Sequence, residues 1–423
     1  MLVTAWPAEW VFVLRQALFL GPLAAAVWLM RRTDPGSRAA VGALFSLLYG
    51  MSLVFVGHTL AIALGVWRYG IPSLQVLGFP ADIWFGGSLL WGPVLFLAFP
   101  RVSPWLLALL CTALNGLVLP ALSPFFVPGR FWFGGVVLVF LTAHLPALYL
   151  ARWTAEDRHL PMRAFLLATG YGCFAFFVMP TIIMHAMGGD WAVLAKRPAW
   201  GLALAGLGLG AAFVMGLSAV QLFALHGDGT PIPLDPTRRL VRTGLYAYVS
   251  NPMQLATASA WVILGTALDN IWVTLAAGMA VCFVLGMVRW HHRQDLEVRF
   301  PTGWPEYQRH VGAWRPRWRP WLPDPAFLTY DPLRASHRRL IGGLATLGLP
   351  GLHVAAGTGP LRYREPHEVR AFQGVAAIGK LLNHGNFATA LLGAGLLLIV
   401  LPLSAVTDAV ASAIARPRRH LRA

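Results

Sequence analysis

Two polar segments, each at the edge of a strongly apolar run, contain the residues of this chain that could do chemistry. The first spans residues 226–253 and ends in Gly244-x-Tyr246, followed by Asn251-Pro252-Met253. The second spans residues 291–307 and leads into a run rich in Trp, Arg and Pro at 311–321. A glycine for close backbone approach, an interfacial phenol and an amide beside a helix start could together bind a polar ligand at a membrane surface.

Local backbone chemistry accounts for part of the first segment without any ligand. Gly and Pro punctuate residues 227–233, which predicts an ordered loop at the level of the lipid headgroups. The residue before a proline is disfavoured in a helix, so Asn251 is expected to be extended, with Pro252 opening the next helix. Asn251 is also a good helix cap. A plain helix start and a ligand site are therefore both open interpretations of this motif.

The order of these residues resembles the isoprenylcysteine carboxyl methyltransferase and phospholipid methyltransferase group of integral-membrane enzymes, over roughly residues 200–321. In that group the motif enters a helix and helps to enclose S-adenosylmethionine. The resemblance implies an S-adenosylmethionine-dependent methyltransferase. The positions that match the motif and its lead-in are Gly229, Thr230, Pro231, Pro233, Pro236, Leu240, Val241, Gly244, Tyr246, Asn251, Pro252 and Met253. Of these, the resemblance assigns cofactor binding to Gly244, Tyr246, Asn251, Pro252 and Met253.

The second segment departs further from this group. The positions that fit its outline are Leu296, Phe300, Tyr307, Trp314, Arg315 and Pro316. The two glutamates of the group fall on His292 and Arg293, although Asp295 or Glu297 could substitute one helical turn later. The resemblance places His292, Arg293 and Arg315 in the expected cofactor site. No residue is assigned a catalytic role, and the lack of a clear base favours an acceptor that is already anionic.

Composition identifies the environment of the chain. Of its 423 residues, 57% are hydrophobic and 12% are charged, against about 25% charged in soluble domains. Continuous apolar runs near the length of a membrane-crossing helix predict an all-α polytopic membrane protein with about nine transmembrane helices. These are expected near residues 10–30, 40–65, 82–99, 104–124, 131–151, 164–187, 200–225, 253–269 and 271–290.

The net charge of +16 indicates topology rather than nucleic-acid binding, because the basic residues lie at the edges of the spans. Arg-rich loops fall on one side of the predicted bundle, and cytoplasmic loops carry the excess of Lys and Arg. This places the N-terminus outside a cytoplasmic membrane and both polar segments inside. The partners expected are membrane lipids and a lipid or lipophilic substrate, with no nucleic acid.

Three regions are expected: an N-terminal transmembrane bundle at 1–199, a methyltransferase-like core at 200–323 and a small C-terminal cytoplasmic domain at 324–423. The bundle contains four polar interruptions, which packing explains more simply than function: His58, Asp82, His144 and His185. Adjacent residues on a helix point about 100° apart, so His291 and His292 do not predict a metal site. The three isolated cysteines imply neither disulfides nor metal ligands.

The C-terminal region weakly resembles the thiol-disulfide oxidoreductase family named for its Asp-Cys-Cys motif. The similar pieces are Tyr330-Asp331 before a basic helix and the late segment 374–394. The CxxC of that family would fall on Arg334 and His337, so thiol exchange is excluded at this position. The charge rule favours a buried or surface-lying final apolar helix at 387–406 over a further span.

The sequence therefore predicts a membrane methyltransferase, with two alternatives. The first alternative is a scaffold that keeps the fold without chemistry, since the carboxylate pair and the cysteines of the two resembled families are absent. The second is a small-molecule transporter, which would carry midplane charges and internal repeats. A pocket enclosed by residues 244–253 and 289–321, in place of a central pore, would separate the enzyme from the transporter.

Overall fold

The computed structural model describes residues 7–70, 74–123, 125–230, 232, 234–283, 285–286, 295–346, 348–366 and 371–415. The structure is mostly helical (69%). Within the described residues, seven helices are long and apolar enough to cross a membrane. They are α1 (Ala8–Thr33), α2 (Ser37–Ala63), α3 (Ala81–Ala98), α4 (Pro104–Ala121), α5 (Trp132–Ala155), α6 (Leu160–Met187) and α7 (Ala199–Gly227).

These seven helices coincide with the first seven predicted spans. The two remaining predicted spans, at 253–269 and 271–290, correspond to shorter helices. These are α8 (Pro252–Ala267), α9 (Ile271–Leu275) and α10 (Ala277–Phe283). Residues 287–294 lie outside the described residues, so the count of nine stays a prediction.

The chain forms two compact units. The first comprises Met1–Lys196, Gly229–Pro236 and Leu268–Val273, and the second comprises Arg197–Asp228, Thr237–Ala267 and Thr274–Ala423. Unit 1 therefore contains α1–α6, and unit 2 contains α7, α8 and the whole C-terminal region.

An ion pair explains how α1 accommodates a charge in the middle of an apolar helix. Arg15 Nη1 donates to Asp82 Oδ2 at 2.7 Å, and both side chains are largely buried. The other carboxylate oxygen of Asp82 accepts from the backbone N–H of Ile83, in the first turn of α3. A charge that is paired and hydrogen-bonded avoids most of the cost of an isolated charge in lipid.

The buried histidines of unit 1 lie among aromatic rings. The His58 ring stacks on Phe79 at 4.4 Å, and its Nδ1 lies 3.0 Å from the Tyr69 hydroxyl. His144 packs against Phe140 at 4.6 Å. These contacts agree with the packing interpretation of the polar interruptions.

A second charge network in unit 1 holds the loop Gly229–Pro236. Asp235 Oδ2 lies 3.2 Å from Nη1 of Arg163, a fully buried side chain, and the two form an ion pair. Arg163 also pairs with Asp157 at 3.1 Å, and Arg38 pairs with Asp157 at 2.7 Å. Asp235 is thus held by a charge network whose central residue, Arg163, is buried.

The C-terminal region of unit 2 contains a four-stranded sheet, so the all-α description does not extend to it. Its strands are β5 (Ala326–Tyr330), β6 (Leu352–Ala356), β7 (Arg362–Arg364) and β8 (Ala371–Gln373). Their order is β6-β5-β7-β8; β5 and β6 are parallel, and the other pairs are antiparallel. Unit 1 holds two short antiparallel pairs, in which β1 (Trp67–Tyr69) joins β4 (Phe126–Pro128) and β2 (Gln75–Val76) joins β3 (Phe79–Pro80).

Helices cover one face of the four-stranded sheet. A short helix, α11 (Gly303–His310), precedes the sheet, α12 (Ala335–Ala345) connects β5 to β6, and α13 (Gly374–Leu382) follows β8. Leu328 and Tyr363 of the sheet form one core with Leu344 of α12 and Leu381 of α13.

The final helix, α14 (Phe387–Ala415), packs on α7 within unit 2. Ala390 and Ala394 share a buried core with Met215. A Cβ on Gly393 would lie 2.4 Å from the carbonyl oxygen of Gly379, so α13 and α14 meet backbone to backbone. The face of this helix that contains Ala390 and Ala394 is therefore buried against other helices of the unit, whereas Leu392 and Ile399 are exposed.

Helix α1 approaches α3 too closely for any side chain at Gly86. A Cβ there would lie 1.7 Å from the carbonyl oxygen of Leu18, whereas a Cβ on Gly87 would meet nothing within 4 Å. We expect Gly86→Ala to destabilise the protein by about 1–3 kcal/mol through overpacking. Gly87→Ala is the matched control, and helix propensity predicts a gain of about 0.5–1 kcal/mol from it. Thermal unfolding in detergent distinguishes them, and equal stability of the two variants would contradict this packing.

Candidate functional site

Gly244 lies in a turn that favours glycine. Its φ is +60°, in the left-handed region that glycine adopts at little cost. A Cβ here would also lie 2.7 Å from Cδ1 of Leu222. The turn opens a short helical turn, Gly244–Ala247, in which every residue is buried.

Tyr246 presents a buried hydroxyl that no residue of the described chain binds. Its ring stacks on Phe223 at 5.0 Å with an interplanar angle of 13°. Burial, and secondarily Tyr307, raises the pKa of Tyr246 far above its ordinary value, so the group is a neutral phenol. The Thr243 hydroxyl, three residues earlier in the chain, is buried and has no hydrogen-bond partner among the described residues either. Two orphaned polar atoms this close in sequence are unusual in a folded interior.

Asn251, Pro252 and Met253 lie where the next helix starts. Pro252 is the first residue of α8, as the sequence predicts, and Asn251 is buried just before it. The carbonyl oxygen of Asn251 accepts from the Leu255 N–H at 3.0 Å. Met253 packs against the apolar cluster that includes Tyr246. The first motif is therefore a single packed group of residues.

The end of the second segment runs beside the first motif and is joined to it by three backbone hydrogen bonds. Ser250 N–H donates to the Gly312 carbonyl at 3.0 Å, Arg317 N–H to Tyr248 at 2.9 Å and Trp321 N–H to Ala247 at 2.9 Å.

One side-chain contact adds to these bonds, since the Tyr307 hydroxyl donates to the Tyr246 carbonyl at 2.7 Å. Residues 307–321 thus cover the motif. Arg315, assigned to the site from the sequence, is exposed on this segment.

The part of the second segment that should carry the carboxylate pair is only partly described. His292 and Arg293, both assigned to the cofactor site from the sequence, lie outside the described residues. Asp295 forms an ion pair with Arg299, which also donates to the Thr237 carbonyl. Glu297 is exposed. Neither of the two possible substitutes is therefore a buried, uncommitted carboxylate.

The C-terminal region closes the motif from another side. The buried Tyr248 hydroxyl donates to the Asn383 carbonyl at 2.9 Å, and the Tyr248 ring packs on Phe387 at 5.7 Å. The Phe387 N–H donates to the Trp318 carbonyl at 3.0 Å. The start of α14 is thereby fixed to both the motif and the segment that covers it.

A buried triad of ionisable residues, absent from the sequence predictions, lies in the same unit. Lys380 on α13 donates to Glu365 Oε1, and its Nζ lies 3.1 Å from His226 Nε2. His226 Nδ1 lies 3.3 Å from Glu365 Oε2. The sequence signal for this triad was a single lysine inside the apolar helix Gly374–Leu382.

The geometry of this triad favours a structural role. Each carboxylate oxygen of Glu365 and each ring nitrogen of His226 faces another member of the triangle. A histidine with both nitrogens committed is poorly placed to take a proton from a substrate. The triad instead fixes α13 and the strand end at Glu365 to the last turn of α7.

The segment between Asp331 and His337 is held by local contacts. His337 Nδ1 accepts from the Asp331 N–H at 3.1 Å, and Arg334 pairs with Asp331 at 3.4 Å.

In the part of the chain that the structure describes, no group of three His, Cys, Asp or Glu side chains could hold a metal ion.

Comparison with models of protein families, with curated proteins and with solved structures gives no significant match.

Replacing one member of the buried triad should lower the stability of the protein far more than replacing two. Lys380→Met leaves the Glu365 carboxylate buried without its lysine partner, and we expect a loss of about 3–5 kcal/mol in the free energy of unfolding. The double variant Lys380→Met/Glu365→Met should recover most of that loss, because no unpaired charge remains. Chemical unfolding of the wild type, of Lys380→Met, of Glu365→Met and of the double variant gives the coupling energy. Additive effects of the two substitutions would exclude a buried pair.

His384 should make stability depend on pH. Burial lowers the pKa of His384 below its ordinary 6.5, although the Pro350 carbonyl and Glu365 partly oppose this. The unfolded chain therefore binds a proton near pH 6.5 that the folded chain does not, and stability falls as pH drops below that value. His384→Gln should flatten the loss of melting temperature between neutral and acidic pH. If the dependence of melting temperature on pH were unchanged in this variant, His384 would not be the cause of the acid sensitivity.

Proposed function

We propose that this chain is an integral-membrane S-adenosylmethionine-dependent methyltransferase that acts on a lipid-embedded or lipophilic acceptor. The observation that carries the proposal is the buried hydroxyl of Tyr246, which has no partner among the described residues, in a motif whose backbone is closed by residues 312–321. An unsatisfied buried polar atom costs about 1–3 kcal/mol. A bound polar ligand would remove this cost.

The residues present suit this cofactor in two respects. The hydroxyls of Tyr246 and Thr243 can donate to or accept from its amine, carboxylate or ribose groups. The stacked rings of Phe223 and Tyr246 offer π-faces, which attract a cation such as a sulfonium. When bound, the cofactor supplies an activated methyl group on a positively charged sulfur.

The work left to the protein is positioning and exclusion of water. In the displacement, the new bond forms between the acceptor atom and the methyl carbon while the carbon–sulfur bond breaks and its electron pair returns to sulfur. The positive charge is neutralised as the methyl moves, so a dry site favours the reaction. The burial of Gly244, Tyr246 and Asn251 supports such a site.

The acceptor that these residues suit is an anion, such as a carboxylate or thiolate. An amine or hydroxyl would need a base, and Asp295 is paired with Arg299 while Glu297 is exposed. The proposal further takes the chain to have nine spans in a cytoplasmic membrane. The N-terminus lies outside and the motif faces the cytosol, where the cofactor is made.

The same carboxylates favour a second candidate, a scaffold that keeps the fold without methyl transfer. Asp295 is paired with Arg299 and is not free to act as a base. In a scaffold, the motif would be retained only for its packing. Cofactor binding separates the two candidates.

Tyr246→Phe tests the site directly, because the hydroxyl it removes has no partner among the residues that the structure describes. We expect the stability of the ligand-free variant to be unchanged or slightly higher. Its affinity for S-adenosylmethionine should fall roughly threefold to tenfold, the effect of one lost hydrogen bond. Calorimetry on detergent-purified protein, with S-adenosylhomocysteine alongside, measures this. Asn251→Ala should weaken binding in the same assay.

Tyr307→Phe is the matched control, since that hydroxyl bonds the Tyr246 backbone. Tyr307→Phe should lower the melting temperature and leave the affinity for S-adenosylmethionine near that of the wild type. Saturable binding that Tyr246→Phe leaves unchanged would remove Tyr246 from the site. Folded wild-type protein with no saturable binding at millimolar cofactor would support the scaffold.

A further inference from the structure

One face of the C-terminal sheet is open. Leu328 and Tyr363 lie on the face that α12 and α13 cover, and both are buried. Phe327 lies on the opposite face, in register with His353 on one side and Arg364 on the other. Phe327 is 43% exposed although it is a large apolar side chain in the centre of a sheet.

This open face is aromatic and cationic. The Arg364 guanidinium lies 5.1 Å from the Phe327 ring centroid, and the His353 ring stacks on Phe327 at 5.5 Å. Arg362, two residues before Arg364 on β7, is exposed on the same face. The described strand residues of the sheet include no Asp or Glu. We name these four residues, Phe327, His353, Arg362 and Arg364, the open sheet face.

The open sheet face lies close to the end of a candidate membrane span. Arg364 is followed directly by Glu365, whose carboxylate contacts His226 in the last turn of α7. Neighbouring Cα atoms are about 3.8 Å apart. The headgroup layer is roughly 5–8 Å deep on each side of the hydrocarbon core. The backbone of Arg364 therefore lies one residue from a side chain that contacts the end of the span, and its own side chain is exposed on the other face of the strand.

We propose that the open sheet face binds the phosphates of anionic phospholipids in the membrane that holds the chain. Arginine offers a planar fork that matches two phosphate oxygens. Phe327 provides an apolar contact for the glycerol and upper acyl region, as interfacial aromatic residues do. Two arginines are too few to follow a nucleic-acid backbone, whereas lipid is always present beside this unit. This inference is independent of methyl transfer.

The test compares two pairs of exposed arginines on opposite faces of the same domain. Arg362→Ala/Arg364→Ala removes the open-face charges, and Arg338→Ala/Arg339→Ala on α12 is the matched control. Full-length protein in neutral detergent is titrated with dioctanoyl phosphatidylglycerol, with dioctanoyl phosphatidylcholine and glycerol 3-phosphate in separate arms. The readout is the melting temperature as a function of lipid.

The affinity for phosphatidylglycerol should fall roughly tenfold to thirtyfold in the open-face variant and stay near wild type in the control. Arg362→Lys/Arg364→Lys should retain part of the affinity, and added salt should weaken the binding that remains. Phosphatidylcholine should show no comparable effect. Equal losses in both arginine pairs would overturn the proposal. So would binding of glycerol 3-phosphate as tight as that of the lipid, or displacement of the lipid by RNA at equimolar concentration.

Discussion

The backbone N–H and C=O groups between α7 and α8 need hydrogen-bond partners that neither helix supplies. Later segments of unit 2 provide several of them. A non-helical segment beside a membrane span cannot leave its N–H and C=O groups unpaired in a dry environment. The Gly227 carbonyl accepts from the Arg238 N–H, and the Tyr248 and Ala247 carbonyls accept from residues 317 and 321. The segment 312–321 therefore completes the fold of the motif.

Buried charges follow a similar rule in both units, because each is held by a partner from a distant part of the chain. Arg15 meets Asp82 across 67 residues, and Lys380 meets His226 across 154. A lone charge at these positions would be costly, so each pair also fixes which elements lie together. In unit 1 this fixes α1 against α3, and in unit 2 it fixes α13 against the end of α7.

The separation of contacting residues along the chain also explains which features could be predicted from the sequence. The seven long helices follow from continuous apolar runs, which are local signals. The glycine at 244 and the proline at 252 are also local signals, and they mark a turn with positive φ and the start of a helix. The strands of the C-terminal sheet are only three to five residues long, too short for a clear alternation of apolar and polar residues. The His226 triad and the contact between Tyr248 and Asn383 depend on long-range folding, which no local pattern encodes.

The available bases in unit 2 bear on which acceptor the proposed reaction would take. His226 has both ring nitrogens facing Glu365 and Lys380. His384 has both of its own committed as well, one to the Tyr363 hydroxyl and one to the Pro350 carbonyl.

A histidine whose two ring nitrogens both face protein groups has no free nitrogen with which to take a proton from a substrate. The phenol of Tyr246, whose pKa burial raises, is likewise a donor rather than a base near neutral pH. An acceptor that arrives without its proton needs none of these groups to change state. Orientation by the motif and a dry environment around the transferring methyl are then sufficient, and both depend on the same hydrogen-bonded closure of residues 244–251 by residues 312–321.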